Sequence, residues 1–324
     1  MFKLIKSSLY LLLFILLLGC SSTSVQPHKI ITCELNDIVF NAQNSFCSSP
    51  RVSLVNKNHL ILGFDNGMIG EWDLSSGKLI EKFEINDDYT LRSVAVTQDN
   101  IYFGSTDMKL KKYSFDGSLL EETNYEKGSI FSLARYKDKF LVGFGNSEIG
   151  LVNVKDFKLL KSYRKHDYLV YTLFIDKQNN LLYSGSDDNT IIVWKISEDG
   201  FLNKIKRIHG FELSVRHILK MDDGNFVITT GSGKVIVYDK TMSNLLDQYN
   251  EHTGIVLSAK VEGNQLITGD SNGMLVYWTY NNNKLNVIKK YKMDSSIRII
   301  EILPDKIMAI SKFGQVLNIP KSNL

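Results

Sequence analysis

The 324-residue chain has almost no surplus of charge, with 38 Lys and Arg against 35 Asp and Glu for a formal net charge of +3. Binding a phosphate backbone calls for a strongly basic face or stripe, so nucleic acid is not an expected partner. Cysteine is scarce, three in all, and no Cys-x-x-Cys occurs. The six histidines, His28, His59, His166, His209, His217 and His252, form no pair at ligand spacing on one strand or helix. Neither a metal site nor a cofactor is therefore expected. A membrane-spanning helix is missing as well: the unbroken apolar run over residues 9–18 has ten residues, where a bilayer span needs roughly 20.

That short run has another use. Lys3 and Lys6 precede it and Leu17-Leu18-Gly19-Cys20 closes it, the arrangement of a cleavable secretory signal. The closing tetrapeptide resembles the lipobox of bacterial lipoproteins, which implies a signal peptide over residues 1–19 and an acylated Cys20 anchoring the mature chain to a membrane. Ser21 stands where an aspartate would favour retention at the inner membrane, so the expected location is the outer membrane, facing the periplasm. Removing residues 1–19 takes away two lysines and no acids, leaving the mature charge at about +1. Residues 20–28 are rich in Ser, Thr, Gln and Pro and read as a flexible tether. Residues 29–324 are enough for one large core or two domains. Cys33 and Cys47 remain as an even pair in an oxidising compartment. A bond between them would close a loop of about 15 residues and add on the order of 3 kcal/mol; the alternative is two small buried side chains that never meet.

What the chain does have is repetition. "GFDNGMIGEWDL" from Gly63 is followed by "GSTDMKLKKYSF" from Gly104, "GFGNSEIGLVNV" from Gly143 and "GSDDNTIIVWKI" from Gly185. "TTGSGKVIVYDK" from Thr229, "GDSNGMLVYWTY" from Gly269 and "ISKFGQVLNIPK" from Ile310 complete the series. One slot, held by Trp72, Tyr113, Val152, Trp194, Tyr238, Trp278 and Ile319, recurs at spacings of 41, 39, 42, 44, 40 and 41 residues. A period of that size marks a repeat architecture. In the fourth unit the β-forming runs are 170–175, 181–185, 190–195 and 202–208, which predicts four strands. The third of these, Thr190 to Trp194, is apolar without alternation, so both of its faces should be buried. Sheets stacked face to face around an axis meet that demand, and the fold class is all-β.

These units resemble the WD40 family, whose repeats run to about 40–45 residues with an early Gly-His and a late Trp-Asp. Trp72-Asp73 is the one literal Trp-Asp pair, and His166 and His252 sit at the place of the Gly-His histidine. The resemblance implies a monomeric seven-bladed β-propeller. It also implies a structural tetrad in the fourth unit, with His166, Ser184, Asp188 and Trp194 joined in a buried hydrogen-bond chain; the other units hold only fragments of the tetrad. The last copy ends after its third strand, so residues 29–35, "KIITCEL", are expected to supply the missing outer strand and close the ring, with Cys33 in it. Closure would remove an exposed edge.

Chemistry suggested by isolated motifs is declined. Ser184, His166 and Asp188 could pass for a hydrolase triad, but the repeat places them inside a blade, and a nucleophile must lie open to substrate. "TTGSGKV" lacks the leading glycine and the final hydroxyl residue of a phosphate loop, and "DSNGM" lacks the later ligands of a calcium loop; both read as turns. No catalytic residue is named. The more promising set follows the opening residue of each unit's first strand: Arg92, Phe131, Tyr171, Arg216, Leu257 and Arg298. In WD40-like propellers these positions edge the central channel, and arginine and aromatic side chains anchor interfaces. The alternative is that they merely cover strand ends. The expected function is a non-catalytic scaffold or accessory subunit binding protein partners of the cell envelope. Outer-membrane protein assembly and a periplasmic respiratory enzyme such as nitrate reductase are the partner systems weighed. A cofactor-binding or enzymatic propeller, or one that binds a small molecule or cell-wall component, is the alternative.

Overall fold

A computed structural model describes residues 48–83 and 89–324. Cys20, Cys33, Cys47, the tether and the expected closing strand at residues 29–35 all lie outside the described residues. Among the described residues there is no α-helix, only 27 strands and one short 3-10 turn, Lys321–Asn323. The strands form six four-stranded antiparallel sheets and one of three strands. Each sheet is a meander of consecutive strands. The fourth comprises Val170–Asp176, Leu181–Ser186, Ile191–Ile196 and Leu202–Ile208.

The turn in the repeated motif explains its composition. Between the second and third strands of every sheet, the fifth residue of the motif takes a left-handed backbone: Gly67, Met108, Ser147, Asn189, Gly233, Gly273 and Gly314. Four glycines and an asparagine adopt it at little cost; Met108 and Ser147 do so against their preference. In the first six sheets at least half of the third strand that follows is buried. Ile191, Ile192, Val193 and Trp194 of the fourth sheet are each 3 % exposed or less.

Burial on both faces requires a sheet on either side, and there are seven apolar clusters, one per neighbouring pair of sheets. One of them joins the ends of the series: Leu60, Leu62 and Trp72 of the first sheet pack with Ile299, Met308 and Ile310 of the seventh. Ser53 and Glu301 add a side-chain hydrogen bond across the same junction. The ring is thereby closed, and the protein is a seven-bladed β-propeller.

The glycine that opens most motif copies serves that stacking. It lies in the second strand, and the first residue of the next sheet's first strand sits directly over it. A Cβ built at Gly63 would lie 2.9 Å from Leu91, one at Gly185 2.5 Å from Val215, and one at Gly269 2.6 Å from Ile297. Gly104 and Gly143 meet Ile130 and Val170 in the same way. All five apolar partners are fully buried. Gly185→Ala should therefore force the fourth and fifth sheets apart and cost about 1–3 kcal/mol, the range for overpacking. An unchanged urea midpoint in that variant would remove the glycine's role as the contact point.

Candidate functional site

Two sets of polar side chains stand out. The first is inside the sheets. In the fourth blade His166 Nδ1 is 2.8 Å from Asp188 Oδ2 and its Nε2 is 2.8 Å from Ser184 Oγ, while the Trp194 indole N–H donates to the same Oγ at 2.9 Å. The donors and acceptors balance when Nδ1 carries the imidazole proton: Nδ1–H donates to the carboxylate, the Ser184 hydroxyl donates to Nε2, and its oxygen accepts from Trp194. His166, Ser184 and Trp194 are each 3 % exposed or less. A hydroxyl sealed under an indole is closed to substrate, so the arrangement pins the blade's strands together rather than attacking a bond.

Asp188 collects further donors, the backbone N–H groups of Asp167 and Thr190 at 3.0 Å each and the Thr190 hydroxyl at 2.6 Å. Burial pushes its carboxyl up, but the bonds from His166, Thr190 and Asp167 outweigh that and hold it well below the usual carboxylate range.

The expectation that other blades hold only fragments is corrected in the sixth. His252 Nδ1 lies 3.1 Å from Asp270, its Nε2 2.7 Å from Thr268 Oγ1, and Trp278 donates to that hydroxyl at 2.8 Å. All four groups are buried. The spacing conceals this set, because Asp270 follows Thr268 by two residues where Asp188 follows Ser184 by four. A carboxylate can reach the imidazole from either place, since the turn doubles back there.

The second set lies on the axis. In every sheet the pairing of first and second strands skips one residue just after the first strand begins. A bulge of this kind turns its extra side chain out of the sheet. The extra residues are the six of the predicted set, Arg92, Phe131, Tyr171, Arg216, Leu257 and Arg298, together with Arg51 in the first blade. All seven line one cavity of about 190 Å³. Because each sheet contributes one residue, the cavity sits where the first strands converge, at a mouth of the central channel. Arg51 lies twelve positions before Gly63, as Arg92 does before Gly104, so the repeat contained the signal for it.

His217 is the eighth lining residue. It occupies a position that is Ser93, Ser132, Thr172 or Ser258 in other blades, and its Nδ1 bonds at 2.7 Å to Thr229, which replaces the motif glycine in its own blade. Removal from water, with Arg216 and Lys260 nearby, pushes its pKa down from 6.5 to about 3.

Cation chemistry dominates the mouth. Arg51 pairs with Asp65 at 3.1 Å. Arg92, Arg216 and Arg298 have no ion-pair partner among the described residues. Burial lowers the pKa of Arg92, with repulsion from Arg51 next. The same two causes bring Arg298 down to about 10. Phe131 and Tyr171 meet edge to face with centroids 5.5 Å apart.

Comparisons with known proteins agree with this architecture. The family model "WD domain, G-beta repeat" matches residues 157–195, the stretch containing His166, Ser184, Asp188 and Trp194. Protein ROOT INITIATION DEFECTIVE 3 of Arabidopsis thaliana is 25% identical over 68% of this chain and 45% of its own length. WD repeat-containing protein 55 homolog of Dictyostelium discoideum is 26% identical over 39% of this chain and 30% of its own length. Actin-interacting protein 1 of Drosophila melanogaster is 30% identical over 46% of this chain and 26% of its own length. The chain spans under half the length of each of these relatives. Among solved structures, the crystal structure of the computationally designed Ika8 protein superposes with a TM-score of 0.67 at 16% identity, covering 85% of this chain and 97% of that one.

Two outcomes follow for this site. Ser184→Ala leaves the Trp194 N–H and His166 without their shared partner and should cost about 1–3 kcal/mol in a denaturant titration; no loss would dismiss the tetrad as a stabiliser. A histidine whose folded pKa is depressed binds its proton more readily when unfolded. Stability held at neutral pH is therefore lost as pH falls from about 6.5 toward about 3. His217→Gln should flatten the decline between pH 6.5 and 4.5, above the range where carboxylates take over, and an unaltered slope would rule His217 out.

Proposed function

We propose that this WD40-repeat propeller is a non-catalytic platform, tethered to the cell envelope through an acylated Cys20, that docks a protein partner across its channel mouth. The observation that carries the reading is the convergence of seven bulged residues, four of them arginine and two aromatic, around one cavity. Those are the residue types that anchor interfaces, and the bulge places them where they have no part in packing the sheets. A closed ring of sheets offers a rigid surface on which such anchors are held in place.

The envelope setting rests on the charged start, the apolar run and Leu17-Leu18-Gly19-Cys20, with Ser21 favouring the outer membrane and the periplasmic side. Membrane attachment then depends on acyl chains, and no helix among the described residues is long and apolar enough to cross a bilayer. In such a compartment an accessory role in outer-membrane protein assembly or beside a respiratory enzyme fits a propeller of this size. One relative's name describes interaction with actin; what is carried over here is interaction with a protein, not actin itself. Arg216 and Arg298 would meet acidic groups of the partner, and Phe131 and Tyr171 would supply apolar contact.

Crosslinking in intact cells, followed by membrane fractionation and partner identification, tests both halves. Arg216→Glu with Arg298→Glu should cut partner recovery at least tenfold while the chain stays with the membrane fraction. Cys20→Ser should release the chain from that fraction. Full recovery by the charge-reversed chain would defeat the docking face, and a membrane-bound Cys20→Ser chain would defeat the anchor.

A further inference from the structure

The bulged residues divide the channel mouth into unlike arcs. Arg298, Arg51 and Arg92 come from the seventh, first and second blades, which are neighbours in the closed ring. Phe131 and Tyr171 follow from the third and fourth. The aromatic pair is bracketed by cations: the Arg92 guanidinium is 5.7 Å from the Phe131 ring centroid, and that of Arg216 is 4.0 Å from the Tyr171 centroid. One side of the cavity is thus positively charged and the adjoining side is aromatic.

The charge is not balanced from within. Asp65, the carboxylate bound to Arg51, is also occupied by the Ser48 hydroxyl and by the Ser49 N–H at 2.9 Å. The Nε–H groups of Arg51, Arg92 and Arg298 are buried and have no hydrogen-bond acceptor among the described residues. Clustering like charges away from water opposes folding. Nothing in the sheet packing requires the cluster, because Leu257 occupies the same bulge in the sixth blade. Arg92, Arg216 and Arg298, three cations without an ion-pair partner among the described residues, line one space together with Arg51, which matches the pattern of an anion site whose counter-charge comes from a ligand.

From this geometry we infer that the channel mouth binds a small free oxyanion with an apolar body, an aromatic phosphate ester or polycarboxylate. Its charged end is received by Arg298, Arg51 and Arg92, and its ring lies against Phe131 and Tyr171. A cavity of about 190 Å³ is smaller than the roughly 300–1,000 Å³ of pockets for drug-sized ligands, so the ligand is a single-ring compound or shorter. The inference goes beyond the platform reading, since the channel takes such an anion whether or not a protein docks above it.

Calorimetry and thermal melting of the full-length chain test it with three probes, inorganic phosphate, phenyl phosphate and phthalate, each against chloride at matched ionic strength. Phenyl phosphate should bind at least tenfold more tightly than inorganic phosphate and raise the melting temperature above the chloride control. Arg92→Gln with Arg298→Gln should lose at least tenfold in that affinity and, in chloride alone, melt at or above the unsubstituted chain, because relieving the repulsion does not harm the fold. Three results would overturn the assignment: no binding of any probe beyond chloride, equal binding by the double variant, or binding of an acidic peptide while all three small anions fail. The last would make the arginines part of a partner surface alone.

Discussion

The structure depends on how closely one sheet approaches the next. Five of the motif copies open with glycine, and over each glycine sits the first apolar residue of the following sheet, Leu91, Ile130, Val170, Val215 or Ile297. Bare backbone at that point lets the apolar residue sink fully out of water, and the same contact, repeated, sets the spacing of the blades. Seven separate apolar interfaces replace one central core. The axis is therefore left open as a consequence of the packing.

The bulge beside that contact separates folding from function. In five blades the first residue of the inner strand is committed to the preceding blade's glycine, and in every blade the third returns to the ladder with the second strand. The residue between them belongs to neither and turns toward the axis. Seven positions are thus released from packing, which is why arginine, tyrosine, phenylalanine and leucine all occupy them without changing the sheet. The fifth blade shows what happens when this scheme is altered. Thr229 takes the glycine position, and the side chain that meets it is His217, bonded through Nδ1, so a polar contact joins first and second strand where other blades rely on closeness alone.

The buried tetrads act at the opposite end of the same requirement. The third strands of the fourth and sixth sheets are mostly apolar and buried, yet the turn beside each holds backbone groups and a carboxylate, Asp188 or Asp270. In blades four and six a histidine gathers the carboxylate, a hydroxyl and an indole into one satisfied chain. Each member would cost about 1–3 kcal/mol if left unpaired in that setting. Elsewhere aromatic contact serves, as where Tyr102 and Phe140 meet edge on at 4.8 Å between the second and third blades.

Local chemistry sufficed to place the strands and turns of the fourth blade to within about a residue, because turns need left-handed positions and doubly buried strands need unbroken apolar runs. His166, Ser184, Asp188 and Trp194 were legible for the same reason, as each falls at a regular offset. The set in the sixth blade was not, since Thr268 replaces serine and Asp270 arrives two residues earlier than the pattern; spatial reach, not spacing, makes it equivalent. The sequence alone therefore determined the repeat, the sheet content and the residues after each opening apolar position. Only the tertiary structure decided that those residues share one cavity, that His217 joins them, and that Arg92, Arg216 and Arg298 line it without an ion-pair partner among the described residues. The physical reason is that groups about 40 residues apart along the chain become neighbours only when every inter-sheet distance is set and the last sheet packs against the first.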